Sequence, residues 1–137
     1  MAIKGQHLAP IAEGHQIYAD RLEVMGLHRQ KLAAIQFIKG REQRIEFERE
    51  PENQYDKNAI KVFGCWKGWF LKRREFLGYV PREVAKVVAD LDVFESIEPR
   101  LARTYLKDDG FVDIFYQFTG PKERAHEFKA ALEESEG

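Results

Sequence analysis

The sequence feature that most constrains the fold of this chain is a polar turn between two β-type runs. Residues 44–49 alternate polar and apolar side chains, which is the period of a half-buried strand. A second β-type run follows at residues 59–63. Between them lies a polar turn at residues 51–57. Asn53, Asp56 and the following Asn58 have short side chains that bond to nearby backbone N–H groups, and the turn carries one aromatic residue, Tyr55. The sequence therefore predicts two strands joined by a long turn with a fixed shape.

Periodicity and turn signals predict the remaining elements. The predictions are an irregular arm at 1–14, a helix from His15 to about Gln30, a strand at 33–38, a hairpin turn at 39–42, a strand at 76–80, a helix opening at Pro81, an extended run at 96–105, a turn at 107–110, a strand at 111–118 broken by Gly120-Pro121, and a closing helix at 122–134. Many short strands with few βα alternations exclude a Rossmann fold. The expected class is α+β and mainly β, a small OB-like barrel with one or two packed helices and a C-terminal helix.

Size and charge limit the function. The 137 residues suit one domain, here divided into an N-terminal extension at 1–30 and a barrel domain at 31–137. A net charge of −1 argues against coating nucleic acid by bulk attraction, so any such site should be local. No apolar run approaches the roughly 20 residues that span a bilayer, so no membrane partner is expected. The single cysteine, Cys65, favours a reducing cytoplasm.

Catalytic motifs are sparse. The chain has no Gly-rich phosphate loop and no His-x-Glu or Cys-x-x-Cys spacing, so neither a zinc site nor a cofactor is expected. Asp108-Asp109 precedes Gly110 and is more simply a turn than a metal site. We therefore expect a chain that is not an enzyme.

The turn residues suit nucleic-acid binding. Tyr55 offers a stacking platform for a base. Asp56 can accept a hydrogen bond from a sugar hydroxyl. Lys57 and Arg82 can neutralise phosphates, and Arg can do so through two parallel bonds. The alternative is purely structural: Tyr55 packs on the barrel and Asp56 only closes the turn.

A second candidate surface lies between the strands at 59–63 and 76–80. Aromatic and basic residues alternate there, a pattern that suits a single strand because bases stack while cations follow the backbone. The candidate residues are Trp66, Lys67, Trp69, Lys72, Arg73 and Arg74. The equally weighted alternative is a hairpin whose aromatics cap the barrel.

Two segments carry a family resemblance. Residues 49–60 read Arg-Glu-Pro-Glu-Asn-Gln-Tyr-Asp-Lys-Asn-Ala-Ile, and residues 78–82 read Gly-Tyr-Val-Pro-Arg. In this order they resemble the HIRAN domain, a small β-barrel module that holds the end of a single DNA strand in some DNA-repair helicases. The resemblance implies a pocket for a 3′ terminus. The positions carried over are Tyr55, Asp56 and Arg82, with Asn53 and Tyr79 on its border.

The chain departs from the family pattern at two places. Gln54 replaces the usual proline of the turn. The end-binding members also carry an Arg-aromatic pair on the first strand, where this chain has Ala33-Ala34 before Ile35. The family's ATPase and zinc RING modules have no counterpart, so neither activity is carried over.

The expected partner is single-stranded DNA or a DNA 3′ end, in repair or replication. Three alternatives stay open at this point. A nuclease would need a carboxylate cluster, for which Asp56 with Asp108 or Asp109 is the candidate. The other two alternatives are binding modules. One is a protein-interaction module that has kept the fold and lost the ligand. The other is RNA binding, since stacking does not distinguish the two sugars.

Overall fold

The computed structural model describes residues 2–136, in which two antiparallel sheets and three α-helices share one core. The strands are β1 (Ile3–Gln6), β2 (His15–Glu23), β3 (Arg41–Arg49), β4 (Ile60–Lys67), β5 (Lys72–Tyr79), β6 (Glu98–Leu106) and β7 (Val112–Pro121). The helices are α1 (Lys31–Lys39), α2 (Arg82–Asp90) and α3 (Ala125–Glu136). One sheet has the order β1-β6-β7-β2 and the other the order β3-β4-β5.

Aromatic side chains join the two sheets. Phe47 of β3 packs edge-on against Tyr116 and Phe118 of β7, with ring centroids 5.8 and 5.9 Å apart. Phe128 of α3 closes the other side of the cluster, 5.4 Å from Phe118 and 5.3 Å from Tyr18 of β2. The pairs Phe47–Tyr116, Phe47–Phe118 and Phe118–Phe128 are edge-to-face, and such pairs contribute stability beyond that of the apolar area that they bury. The α+β class is confirmed, while the strands form two sheets rather than one closed ring.

The helix predicted for His15 to Gln30 is wrong. Residues 15–23 form β2, which pairs with β7, and only Leu27–Gln30 turn helically, as a short 3₁₀ segment. Register shifts interrupt the pairing of β2 on both sides of Ala19. Arg21 has a φ of 56°, a left-handed conformation that is uncommon outside glycine. These irregularities break the strict alternation by which a strand is recognised.

The strand predicted for Ala33 to Ile38 is also wrong, because this segment lies in α1. Its buried residues, Ala34, Phe37 and Ile38, have the i, i+3, i+4 spacing of one helix face. A short apolar run fits a buried strand equally well by composition. The hairpin turn expected at 39–42 is therefore the junction between α1 and β3.

Smaller differences occur at both ends of the chain. The arm expected at 1–14 contains β1, which pairs with β6. Gly120-Pro121 does not end the last strand, since β7 runs to Pro121. The strands on both sides of the polar turn, the helix after Pro81 and the turn at 107–110 lie where the sequence predicted them. No helix among residues 2–136 is both long and apolar enough to cross a bilayer.

Candidate nucleic-acid interface

Side-chain caps fix the loop between β3 and β4. Asn53 Oδ1 accepts hydrogen bonds from the backbone N–H groups of Tyr55 and Asp56, each at 2.9 Å. Asp56 Oδ1 in turn accepts from the N–H of Asn58 at 2.9 Å. These are the local bonds by which Asn and Asp hold turns. The prediction that Asn53 and Asp56 fix this loop is confirmed.

The fixed loop presents an aromatic ring beside an ion pair. Tyr55 is 87 % exposed, so its ring points to solvent. The purely structural alternative required this ring to pack on the barrel, and it does not. The next residue, Asp56, faces Arg82 at the start of α2, with Oδ2 3.8 Å from Nε. The Arg82 side chain is 78 % exposed, whereas that of Asp56 is 19 % exposed. An exposed ring therefore precedes, in the chain, a carboxylate that faces an exposed guanidinium.

Lys57 lines a cavity beside the loop. The cavity has a volume of about 150 Å³ and lies between the loop and α2, where Arg49, Ala85 and Phe94 also line it. This cavity does not contain Tyr55, Asp56 or Arg82. The structure thus brings Asp56 and Arg82 together, and Lys57 contributes to the neighbouring cavity.

Glu50 connects the loop to the sheet, and the sequence reasoning missed it. Its Oε1 accepts hydrogen bonds from Asn53 Nδ2 at 2.5 Å and from the Tyr79 hydroxyl at 2.9 Å. Its Oε2 lies 3.0 Å from Lys61 Nζ on β4. The hydrogen bond from Asn53, followed by that from Lys61, lowers the pKa of the Glu50 carboxyl. Nothing in the sequence singles out a glutamate at a strand end as the centre of a network.

We expect Glu50→Gln to lower the free energy of unfolding by about 1 kcal/mol at neutral pH, because charge-assisted hydrogen bonds to the carboxylate are lost. A lowered folded-state pKa stabilises the fold above the ordinary carboxyl pKa, and that contribution disappears as pH falls through the lowered value. Urea unfolding of wild type and Glu50→Gln should be measured from neutral pH down to below the lowered pKa of Glu50. The free energies of unfolding of the two proteins should converge as the pH falls. Glu48→Gln, at an exposed position of β3, is the control with little expected effect. Equal stability of Glu50→Gln and wild type at neutral pH would contradict the role of Glu50.

The second candidate surface is divided by the pleat of the hairpin. Trp66 is only 5 % exposed and packs on Phe37 of α1, with ring centroids 5.8 Å apart. Its predicted role in base stacking is therefore wrong, because alternate residues of β4 point into the core. Gly40 makes room for the indole, since a Cβ there would lie 2.3 Å from Trp66 Cδ1.

The tip of the hairpin is apolar and exposed. Trp69 and Phe70 are 86 % and 87 % exposed, and their rings meet edge-on with centroids 6.0 Å apart. The N–H of Gly68 donates to the carbonyl of Leu71 at 2.9 Å and closes the turn. The predicted basic residues lie along the two strands behind this tip. Three of them are ion-paired: Lys67 with Glu42 at 3.0 Å, Arg73 with Glu75 at 3.1 Å and Arg74 with Glu46 at 2.9 Å.

The segment before α1 is hydrogen-bonded to β5, the strand that ends in Gly78 and Tyr79 of the family motif. Met25 forms a β-bridge with Tyr79, in which Met25 N donates to Tyr79 O at 2.8 Å and Tyr79 N donates to Met25 O at 2.9 Å. Ala33 and Ala34 lie on α1 and not on a strand, so their comparison with the family's first-strand Arg-aromatic pair is wrong. The chain at Met25 is the segment that borders the motif.

The metal-ligating residue types and the one thiol of the chain are placed as follows. Among residues 2–136, no group of three His, Cys, Asp or Glu side chains is placed to hold a metal ion. Cys65 is a buried free thiol, and burial, followed by the charge of Glu46, raises its pKa. The nucleophilic thiolate is therefore disfavoured at neutral pH.

A model of the HIRAN domain matches residues 18–96, more than half of the chain. The chain belongs to the HIRAN family. Two solved structures share its fold. The crystal structure of the HIRAN domain of human HLTF is 19% identical, with a TM-score of 0.53, and the match covers 91% of this chain and 95% of that chain. The NMR structure of the HLTF HIRAN domain is 20% identical, with a TM-score of 0.56, and the match covers 89% and 92%. No curated protein sequence matches the chain.

The HIRAN match begins inside β2, at Tyr18. It includes the part of β2 from Tyr18 onward, the Met25 bridge to Tyr79, the capped loop and α2. The exposed Tyr55 and the Asp56–Arg82 pair thus lie within the family's own region.

Proposed function

We propose that this HIRAN domain captures the 3′ end of single-stranded DNA on the loop between β3 and β4, as a binding module in repair or replication that catalyses no reaction. Membership of the HIRAN family supports a nucleic-acid-binding role. The observation that carries the finer proposal is the exposed Tyr55 ring on a loop held rigid beside the Asp56–Arg82 pair. A rigid platform loses little conformational entropy on binding.

Each of the three side chains has a separate task. Tyr55 stacks on the terminal base or sugar, a contact worth about 1–3 kcal/mol. Asp56 uses Oδ1 to cap Asn58, which leaves Oδ2 to accept a hydrogen bond from the terminal 3′-hydroxyl. Arg82 lies too far from Asp56 for a hydrogen bond at 3.8 Å, so its guanidinium can turn to a phosphate.

The carboxylate gives the site its preference for a hydroxyl. A 3′-phosphate would place negative charge against Asp56 and offer no donor to Oδ2. We therefore expect the wild-type domain to bind a strand with a free 3′-hydroxyl more tightly than the same strand with a 3′-phosphate.

Fluorescence anisotropy with the two labelled strands tests this proposal. Tyr55→Ala should weaken binding of the free end about tenfold or more, from the loss of stacking. Asp56→Asn should reduce the preference between the two ends, because the charge that repels a phosphate is removed. Arg82→Ala should weaken binding of both strands. It should also reduce the slope of log affinity against log salt by about one, the value expected for one lost phosphate contact.

Two exposed residues serve as matched controls. Phe111→Ala removes an exposed ring at the β6–β7 turn, and Lys86→Ala removes a cation one turn further along α2. Neither should change the affinity. Equal wild-type binding of both ends would overturn end capture, and tighter binding of a matched RNA strand would reassign the ligand. Binding of neither nucleic acid would leave a protein-interaction module.

A further inference from the structure

We propose that the outer face of the β3-β4-β5 sheet is a track for the nucleotides that precede the captured terminus, running from Tyr79 toward the hairpin tip. This inference rests on the proposed function and extends the same site. The outer face is the side turned away from the core, where β4 and β5 place Lys61, Phe63, Arg74 and Phe76. Their neighbours Val62 and Leu77 are fully buried on the opposite side.

A ladder of half-buried rings starts at the loop site. Tyr79, bonded to Glu50, meets Phe76 edge-on with centroids 5.3 Å apart, and Phe76 meets Phe63 at 5.9 Å. Phe37 of α1 packs on the inner side of the sheet, where a Cβ at Gly64 would lie 2.8 Å from its ring. The ring ladder therefore lies on the side of the sheet opposite α1, and aromatic side chains on an open sheet face suit unstacked bases.

Cations lie over and beyond the ladder. The guanidinium of Arg74 lies 3.8 Å from the centre of the Phe63 ring, and Lys61 Nζ lies 5.9 Å from the same centre. The face then continues into a depression of about 460 Å³ toward the hairpin tip. Its basic lining residues on this face are Arg44, Lys67, Lys72 and Arg74. Arg73 also lines the depression, but it stands opposite Trp66 and so belongs to the other face of the sheet. A stacking ladder that leads into a basic depression complements a strand of bases and phosphates.

Cations pair with two of the carboxylates along this face, Glu46 and Glu42. Glu46 is bonded by both Arg44 and Arg74, and Glu42 on the rim is paired with Lys67. Exposed ion pairs of this kind contribute little stability, so their cations can exchange to phosphates at small cost. Glu48 at the far edge, opposite Lys61, remains as a repulsive charge.

The length of the face sets the length of the strand. β4 has 8 residues from Ile60 at the loop to Lys67 near the tip. At about 3.3 Å per residue this is roughly 25 Å, or about four to seven nucleotides between an extended and a fully stacked strand. A strand of that length would bring its 5′ bases to the hairpin tip.

The test is a titration of oligothymidines of three to about ten nucleotides with a free 3′-hydroxyl. The wild-type affinity should rise with length up to about seven nucleotides and then level off. Phe63→Ala and Phe76→Ala should each weaken binding of the long strand about five- to tenfold and leave the three-nucleotide strand and the end preference unchanged. Phe63→Leu and Phe76→Leu keep apolar volume but remove the ring, and they should weaken binding of the long strand as the alanine variants do. Because they leave a smaller cavity, they show that the loss comes from the ring and not from misfolding.

A spectroscopic arm reports on the far end of the track. Long strands should quench the fluorescence of Trp69 while three-nucleotide strands do not, and Trp69→Phe should remove this response. An affinity independent of length, or phenylalanine variants that weaken short and long strands equally, would overturn the track and leave end capture intact. Length-dependent binding without preference for a free 3′-hydroxyl would overturn end capture instead, while loss of binding to every strand would overturn both.

Discussion

Phe118→Ala should lower the free energy of unfolding by about 3–5 kcal/mol, the usual cost of truncating a buried phenylalanine. Phe118 lies near the middle of β7 and is fully buried. Its ring contacts Phe47 of the opposite sheet and Phe128 of α3, so the truncation opens a cavity where both sheets and a helix meet. The surrounding elements cannot all close that cavity at once.

Equilibrium unfolding in urea measures this loss, and Phe111→Ala is the control. Phe111 is half-exposed in the β6–β7 turn, so the same chemical change there should cost well under 1 kcal/mol. Domains of this size have only about 5–15 kcal/mol of stability. A similar, small loss in both variants would contradict a core shared by the two sheets.

The strands beside the polar turn were predictable from the sequence. Alternation places Phe47 on one face of β3, and the cluster of turn residues fixes where β3 ends and β4 begins. The family resemblance indicated Tyr55, Asp56 and Arg82, and in the structure Asp56 faces Arg82 while the adjacent Tyr55 is exposed. Local signals and the motif agree here, so both point to the same arrangement.

The elements before the motif were not predictable in the same way. Two register shifts interrupt the alternation of buried and exposed residues in β2, and the apolar pattern of α1 fits a strand equally well. Their conformations are decided by partners distant in sequence: β7 for β2, and Trp66 on β4 for Phe37 of α1. A local window contains neither partner.

The ring ladder depends on pairing that no single strand reveals. A register shift between Val62 and Phe63 sets Phe63 opposite Phe76 instead of opposite its regular partner, Leu77. The bulge brings two rings to one face. Glu50 is hidden for a similar reason, because its partners come from the loop, β4 and β5.

Gly78→Ala should cost about 3 kcal/mol of stability, through close contact and backbone strain together. A Cβ at Gly78 would lie 2.2 Å from the carbonyl oxygen of Met25 and 2.7 Å from Cγ1 of Val24. The first of these is a backbone atom held by the bridge to Tyr79, so it cannot turn away as a side chain would. The φ of 151° at Gly78 adds strain for any residue with a Cβ.

Gly26→Ala separates the two causes. Gly26 has a φ of 77° and no atom within 4 Å of the added Cβ, so only strain of about 1 kcal/mol is expected there. Thermal unfolding should rank wild type above Gly26→Ala and Gly26→Ala above Gly78→Ala. Because the displaced segment is bonded to Tyr79, which holds Glu50, folded Gly78→Ala protein should also bind the free 3′ end more weakly. If the two variants were equally stable and both kept wild-type affinity, the Met25 bridge would not be what positions the loop site.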